Sequence, residues 1–136
     1  MIRLFQFAAV SALMLGAAAP SAIGPNARIT WVSPTLDVNN NPETLSSMDL
    51  AIATSDVDLN VVGSVALRTI KDINPGDGVA GYSAAVLVAG LPNGTYKVWI
   101  RAIDLAGNMS VWGSSDAVPV DVTAPKPPSG ISCKPN

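Results

Sequence analysis

The chain has 136 residues, with 8 Lys+Arg against 10 Asp+Glu, no His, one Cys, 49% hydrophobic and 13% charged residues. One core is normal at this length and two would each be marginal, so the composition describes a single folded domain with short appendages. The absent His removes the commonest general base and imidazole ligand, the lone Cys removes internal disulfides and multi-Cys metal sites, and a net charge of −2 offers no basic footprint for nucleic acid.

Residues 1–22 read as a different polymer. Met1-Ile2-Arg3 is a short positive start, Leu4 to Leu15 is an apolar run broken only by Gln6 and Ser11, and Gly16 to Ala19 are small. This is the layout of a secretory signal peptide with a helical apolar centre too short to span a bilayer comfortably. Cleavage after Ala18 suits the small-residue rule best, with Ala22 as second choice. An uncleaved membrane anchor, or an arm buried in an assembly, is the alternative, and contact with a membrane is expected only through this segment. No Cys follows the run, which closes the lipoprotein route. Without Arg3, 7 positive charges face 10 negative ones, so the remainder sits near −3.

Beyond the leader, short runs alternate with turn chemistry. Ala27 to Val32 alternates with Ile29 and Trp31 on one face and ends at Ser33-Pro34, so it predicts a strand. Asp37 to Glu43, with three consecutive Asn, predicts a loop. Met48 to Ala53 alternates again, and Val61 to Lys71 is a longer β-branched run around Gly63. Asn74-Pro75-Gly76-Asp77-Gly78 is the strongest breaker. Tyr82 to Ala89 follows, then a tight turn at Leu91-Pro92-Asn93-Gly94.

Thr95 to Asp104 gives the clearest strand. Tyr96, Val98, Ile100 and Ala102 fall on one face, and Lys97, Trp99, Arg101 and Ile103 on the other. Ala106-Gly107-Asn108 turns the chain, Met109 to Trp112 and Ala117 to Val122 return it, and Pro125, Pro127 and Pro128 open a Pro-rich end. About seven short strands at this spacing predict an antiparallel β-sandwich over 23–125, with 126–136 as a flexible tail.

Several of these stretches resemble a family. Ile29-Thr30-Trp31 before Ser33-Pro34 resembles the second strand of a fibronectin type III domain, and Leu91 to Ala102 resembles that family's passage into its sixth strand. Asp104 to Ser110 is similar to the turn that many bacterial immunoglobulin-like repeats use next, and Thr123-Ala124-Pro125 with Pro127-Pro128 resembles a junction between modules. The resemblance covers roughly residues 26–125. It implies an immunoglobulin-like fold with Trp31, Tyr96 and Leu91 as structural anchors, Tyr96 being the corner tyrosine. It leaves only Ala19 to Ala27 for the first strand, which is then short, absent or supplied by another chain. The tail could also fold back along the vacant edge.

The chemistry is sparse. Asp37-Val38-Asn39-Asn40-Asn41 has the alternating oxygens of a calcium loop, but Pro42 stands where the turn needs Gly and Met48 where a bidentate Glu would close the shell, so a solvated loop is the better reading. Asp72, Asn74 and Asp77 are explained by turn propensity, and Asp56 with Asp58 by solvated charge. No metal site or cofactor is expected, and no Ser-x-x-Lys spacing offers a nucleophile, so the chain is read as a non-enzyme. Asn93-Gly94-Thr95 and Asn108-Met109-Ser110 match glycosylation sequons that matter only in a eukaryotic secretory route.

The pleat that sends Tyr96 and Val98 inward places Trp99 outward between Lys97 and Arg101. That trio is the candidate binding surface for a sugar face or a protein loop; alternatively Trp99 only covers its own sheet. The expected function is an exported module acting by contact or assembly, secreted, periplasmic, on a cell surface or in a virion, with a protein or polysaccharide surface as partner. A carbohydrate-binding accessory using exposed Trp99 is the alternative. Self-association through an open sheet edge or an intermolecular Cys133 disulfide is a further expectation, and nucleic acid is not.

Overall fold

The computed structural model describes residues 22–135, so the leader expected over 1–22 lies outside them except for Ala22. The described residues are mostly β, in two antiparallel sheets. The smaller pairs β1 (Arg28–Ile29) with β4 (Tyr82–Ser83). The larger runs β3 (Arg68–Ile73), β2 (Leu45–Thr54), β5 (Gly94–Asp104) and β6 (Gly113–Ser114), with β7 (Val118–Val120) also on β5. Two helices of one turn, α1 (Asp77–Ala80) and α2 (Ala85–Val88), flank β4.

The core lies where the alternating faces converge. β2 sends Met48, Leu50 and Ile52 inward and β5 sends Tyr96, Val98, Ile100 and Ala102, while Ile29 and Trp31 meet them from the β1 side. α2 adds Leu87 and Val88. Each buried aliphatic side chain contributes about 1.5–3 kcal/mol, and strand register therefore matters, since a one-residue slip would turn this whole set toward solvent.

Three expectations are corrected. Of the run from Val61 to Lys71 only the part from Arg68 onward is strand, where it begins β3. The rest turns at Gly63 (φ +90°), with Val61 N donating to Asp58 O and Ser64 N to Val61 O, so local turn bonds displace a ladder. Tyr82 to Ala89 is strand for only two residues before α2, because Ala84 N completes its bond to Ala27 O and the following Ala-Val-Leu-Val then buries Leu87 and Val88 by helical spacing. The tail does not fold back on a sheet edge: residues 121–135 are exposed and without regular structure.

Ahead of β1, Ile23 bridges Val120 in parallel, donating to Pro119 O and accepting from Asp121 N, both at 2.9 Å. Pro119 lacks an amide, so it can offer only its carbonyl on this side.

Candidate binding surfaces

The outer face of the larger sheet carries the expected trio, in a different arrangement. β2 and β5 pair Asp49 with Arg101, Ala51 with Trp99 and Ala53 with Lys97. Trp99 is only 5% exposed and Lys97 and Arg101 are partly covered, so the expectation of an exposed Trp99 is corrected. The cause is local. Ala51 and Ala53 leave room above β2, and the 55–67 connection folds over it, packing Val57, Leu59 and Ala66 on Trp99 together with Trp112. Asn60 fastens that cover, its Nδ2 donating to Trp112 O at 2.9 Å and its Oδ1 accepting from Trp112 N at 2.8 Å.

Arg101 belongs to the same cover. Its Nε donates to Asp49 Oδ2 at 2.9 Å, and its guanidinium lies 4.4 Å from the centre of the Trp112 ring. The ring that Arg101 meets is therefore Trp112 and not its strand neighbour Trp99. Ala51 opposite Trp99 is a partial sign of this second small core, which takes shape only when the 55–67 connection folds over the strand. Asp49 Oδ1 and Trp99 Nε1 are buried there without a hydrogen-bond partner among the described residues.

The cover itself presents apolar surface. Val62 is fully exposed, and Val61, Val65 and Leu67 stand out beside it. No charged residue lies between Asp58 and Arg68. Arg68 closes the stretch by donating from Nη1 to Val86 O at 2.6 Å and Leu87 O at 3.0 Å, which ties β3 to α2.

On the opposite side, Trp31 is 3% exposed and packs face-on against Gly78. Its Nε1 donates to Pro75 O at 3.1 Å and Ser33 Oγ donates to the same carbonyl at 2.7 Å. Beside it lies an apolar groove of about 600 Å³ walled by Val32, Pro75, Gly78 and Val79. Tyr96, also 3% exposed, donates its hydroxyl to Pro92 O at 2.6 Å, and Leu91 packs on the same core.

The acidic positions serve loops. Asp37 is buried, and its Oδ1 accepts from Asn39 N and Asn41 N at 2.8 and 3.0 Å, closing the turn in which Asn40 takes a φ of +63°. Asp104 does the same for the next turn, accepting from Asn108 N and Nδ2 at 2.8 and 2.9 Å. Asn74 Oδ1 accepts from Gly76 N. A Thr54 hydrogen bond holds the exposed Asp56 carboxyl below the ordinary carboxylate range, which favours its charged form and makes it a poor proton donor near neutrality. Among the described residues no three His, Cys, Asp or Glu side chains gather as a metal site.

Asn93 has a structural task. Its Nδ2 donates to Thr123 Oγ1 at 2.8 Å and Asp121 Oδ1 at 3.3 Å, and its Oδ1 accepts from Val122 N at 3.1 Å. Cys133 is exposed in the tail with a free thiol. Compared with known proteins, the chain matches no family model, no curated sequence and no solved structure.

Proposed function

We propose that the chain is an exported, non-catalytic module of the fibronectin type III, immunoglobulin-like kind that acts by surface contact or assembly, at a bacterial surface or in a virion. Support for the family reading comes from the pairing order: β1 with β4 in one sheet, β3, β2, β5 and β6/β7 in the other, and the Tyr96 hydroxyl bonded back to Pro92 at the entry to β5. The fold alone does not select a task, since such sandwiches host many.

The observation that carries the contact reading is the uncharged loop from Leu59 to Leu67. It anchors inward through Leu59 and Ala66 while setting Val61, Val62 and Val65 into solvent. An uncharged apolar patch anchored from beneath is what a contact surface offers and what a monomer otherwise avoids. The carbohydrate reading in its expected form loses its support, because a sugar cannot stack on a covered Trp99.

The test is retention on the producing cell or particle. Wild-type chain is expected to stay with that surface through washing, and a Val62→Asp, Val65→Asp double variant to appear in the medium. Equal retention of the two would refute a contact role for this loop. Mass spectrometry of the natural protein tests export separately: a terminus near Ala19 is expected, and an intact Met1 speaks against it.

A further inference from the structure

We propose that Asn93 is a site of spontaneous deamidation gated by the segment that follows β7. While residues 121–123 are docked the amide is protected, and once they lift away it closes on Gly94 and becomes a carboxylate that resists redocking. Such a latch does not depend on the contact reading.

The chemistry starts from the sequence. Asn93-Gly94 is the one Asn-Gly pair in the chain; Asn60 is followed by Val61, Asn74 by Pro75 and Asn108 by Met109. A following amide nitrogen attacks an asparagine side chain most readily where no β-carbon crowds the approach, and glycine alone meets that condition. The fold itself does not ask for glycine at 94. Its φ lies outside the left-handed region, and a β-carbon there would come no closer to another group than 3.4 Å, from the Tyr96 ring.

Water is the only co-reactant. Gly94 N bonds to Asn93 Cγ, the Cγ–Nδ2 bond breaks, and Nδ2 leaves as ammonia with the proton that Gly94 N gives up. Water then opens the cyclic imide at either carbonyl, giving aspartate or its β-linked isomer, each with a free carboxylate.

Both reacting groups are held by one segment. The Asn93 amide donates to Thr123 Oγ1 at 2.8 Å and Asp121 Oδ1 at 3.3 Å, and accepts from Val122 N at 3.1 Å. Closing the imide turns Cγ onto the main chain and expels Nδ2, which breaks this set. Gly94 N is held as well. Ile23 bonds to Pro119 O and Asp121 N, so by alternation Val120 turns its own main-chain groups to Gly94, its partner in the ladder. Lifting the chain from Val120 onward therefore frees electrophile and nucleophile together. Residues 121–123 are exposed, so an opening that starts there uncovers little apolar surface.

The product does not fit its old place. A carboxylate at 93 has no proton to give Thr123 or Asp121, and it meets the Asp121 carboxylate where the amide had donated. Like charges in contact repel, with solvent and salt weakening the effect at an exposed site. Loss of ammonia makes the change one-way, so residue 93 keeps a record of tail release.

The test ages the full chain in neutral buffer and maps its peptides by mass spectrometry for the amide-to-acid mass gain at residue 93. Conversion is expected to be several-fold slower in folded wild type than in urea-unfolded chain, and several-fold faster in folded Thr123→Val than in folded wild type. Adding Gly94→Ala is expected to suppress it in both. The acid fraction of aged wild type, separated by ion exchange, is expected to show roughly fivefold faster hydrogen exchange at the Val122 amide, the effect of losing one ordinary hydrogen bond. The Ala84 amide, bonded to Ala27 O, is expected to stay unchanged. Equal conversion in wild type and Thr123→Val, or in folded and unfolded wild type, would overturn the gating. An acid fraction with unchanged Val122 exchange would overturn the release. Should Thr123→Val alter exchange at Ala84, the folded, unfolded and acid fractions of wild type decide alone.

Discussion

Gly78 and the indole of Trp31 are in such close contact that a β-carbon on Gly78 would lie 2.5 Å from Cδ2 of the ring. The breaker sequence around Pro75 thus does more than reverse the chain: it presents a side-chain-free surface on which the tryptophan lies flat. Gly78→Ala is expected to lower unfolding stability by about 2–3 kcal/mol through overpacking, read as a fall in denaturant midpoint with unchanged slope.

Tyr96→Phe isolates the hydroxyl bond to Pro92 without opening the core. A loss of about 1 kcal/mol is expected, against about 3–5 kcal/mol for Tyr96→Ala, which also empties the ring's site. Chemical denaturation of the pair distinguishes a tied turn from simple ring packing.

Arg101 and Lys97 differ although both point to the outer face. Arg101→Met strands the Asp49 carboxylate, which is buried, and is expected to cost about 2 kcal/mol, reduced from a fully buried pair because Arg101 itself is partly solvated. Lys97→Met is expected to change stability by less than about 0.5 kcal/mol. A double-mutant cycle of Arg101→Met with Asp49→Asn should give a coupling that the Lys97 cycle lacks.

Trp99→Ala is expected to cost about 3–5 kcal/mol, as for a core aromatic. Val62→Asp, on the outside of the same cover, is expected to be neutral within about 0.5 kcal/mol. Thermal or urea unfolding of the two separates the inner from the outer layer of this loop.

Asn93→Ala removes one acceptor and one forked donor from the start of the tail. Hydrogen exchange at the Val122 amide is expected to accelerate, while the Ala84 amide, bonded to Ala27 O in the other sheet, is unchanged.

How far these features could be read in advance depended on their range. The strand at Thr95 to Asp104 was legible because its inward residues alternate without a break, and it is found as β5, Gly94–Asp104. The turn at Leu91 to Gly94 was equally local. The 55–67 cover was not legible as such, since its apolar residues follow neither period and acquire their role only from Ala51, Ala53 and Trp99 on distant strands. Trp99 takes the outer face that alternation assigns it, but alternation says nothing about what lies above that face, so the choice between an open ring and a covered one waited on the loop. The Trp31 groove was invisible, because it requires Pro75 and Val79 to return beside β1 from beyond β3.

The fastening at Asn93 carries a mechanical corollary. Three consecutive residues, Asp121, Val122 and Thr123, are gripped by one amide at the base of β5. The irregular tail therefore starts from one fixed point, Thr123, beside the beginning of β5, and severing that one side chain would let the pivot migrate back toward the end of β7.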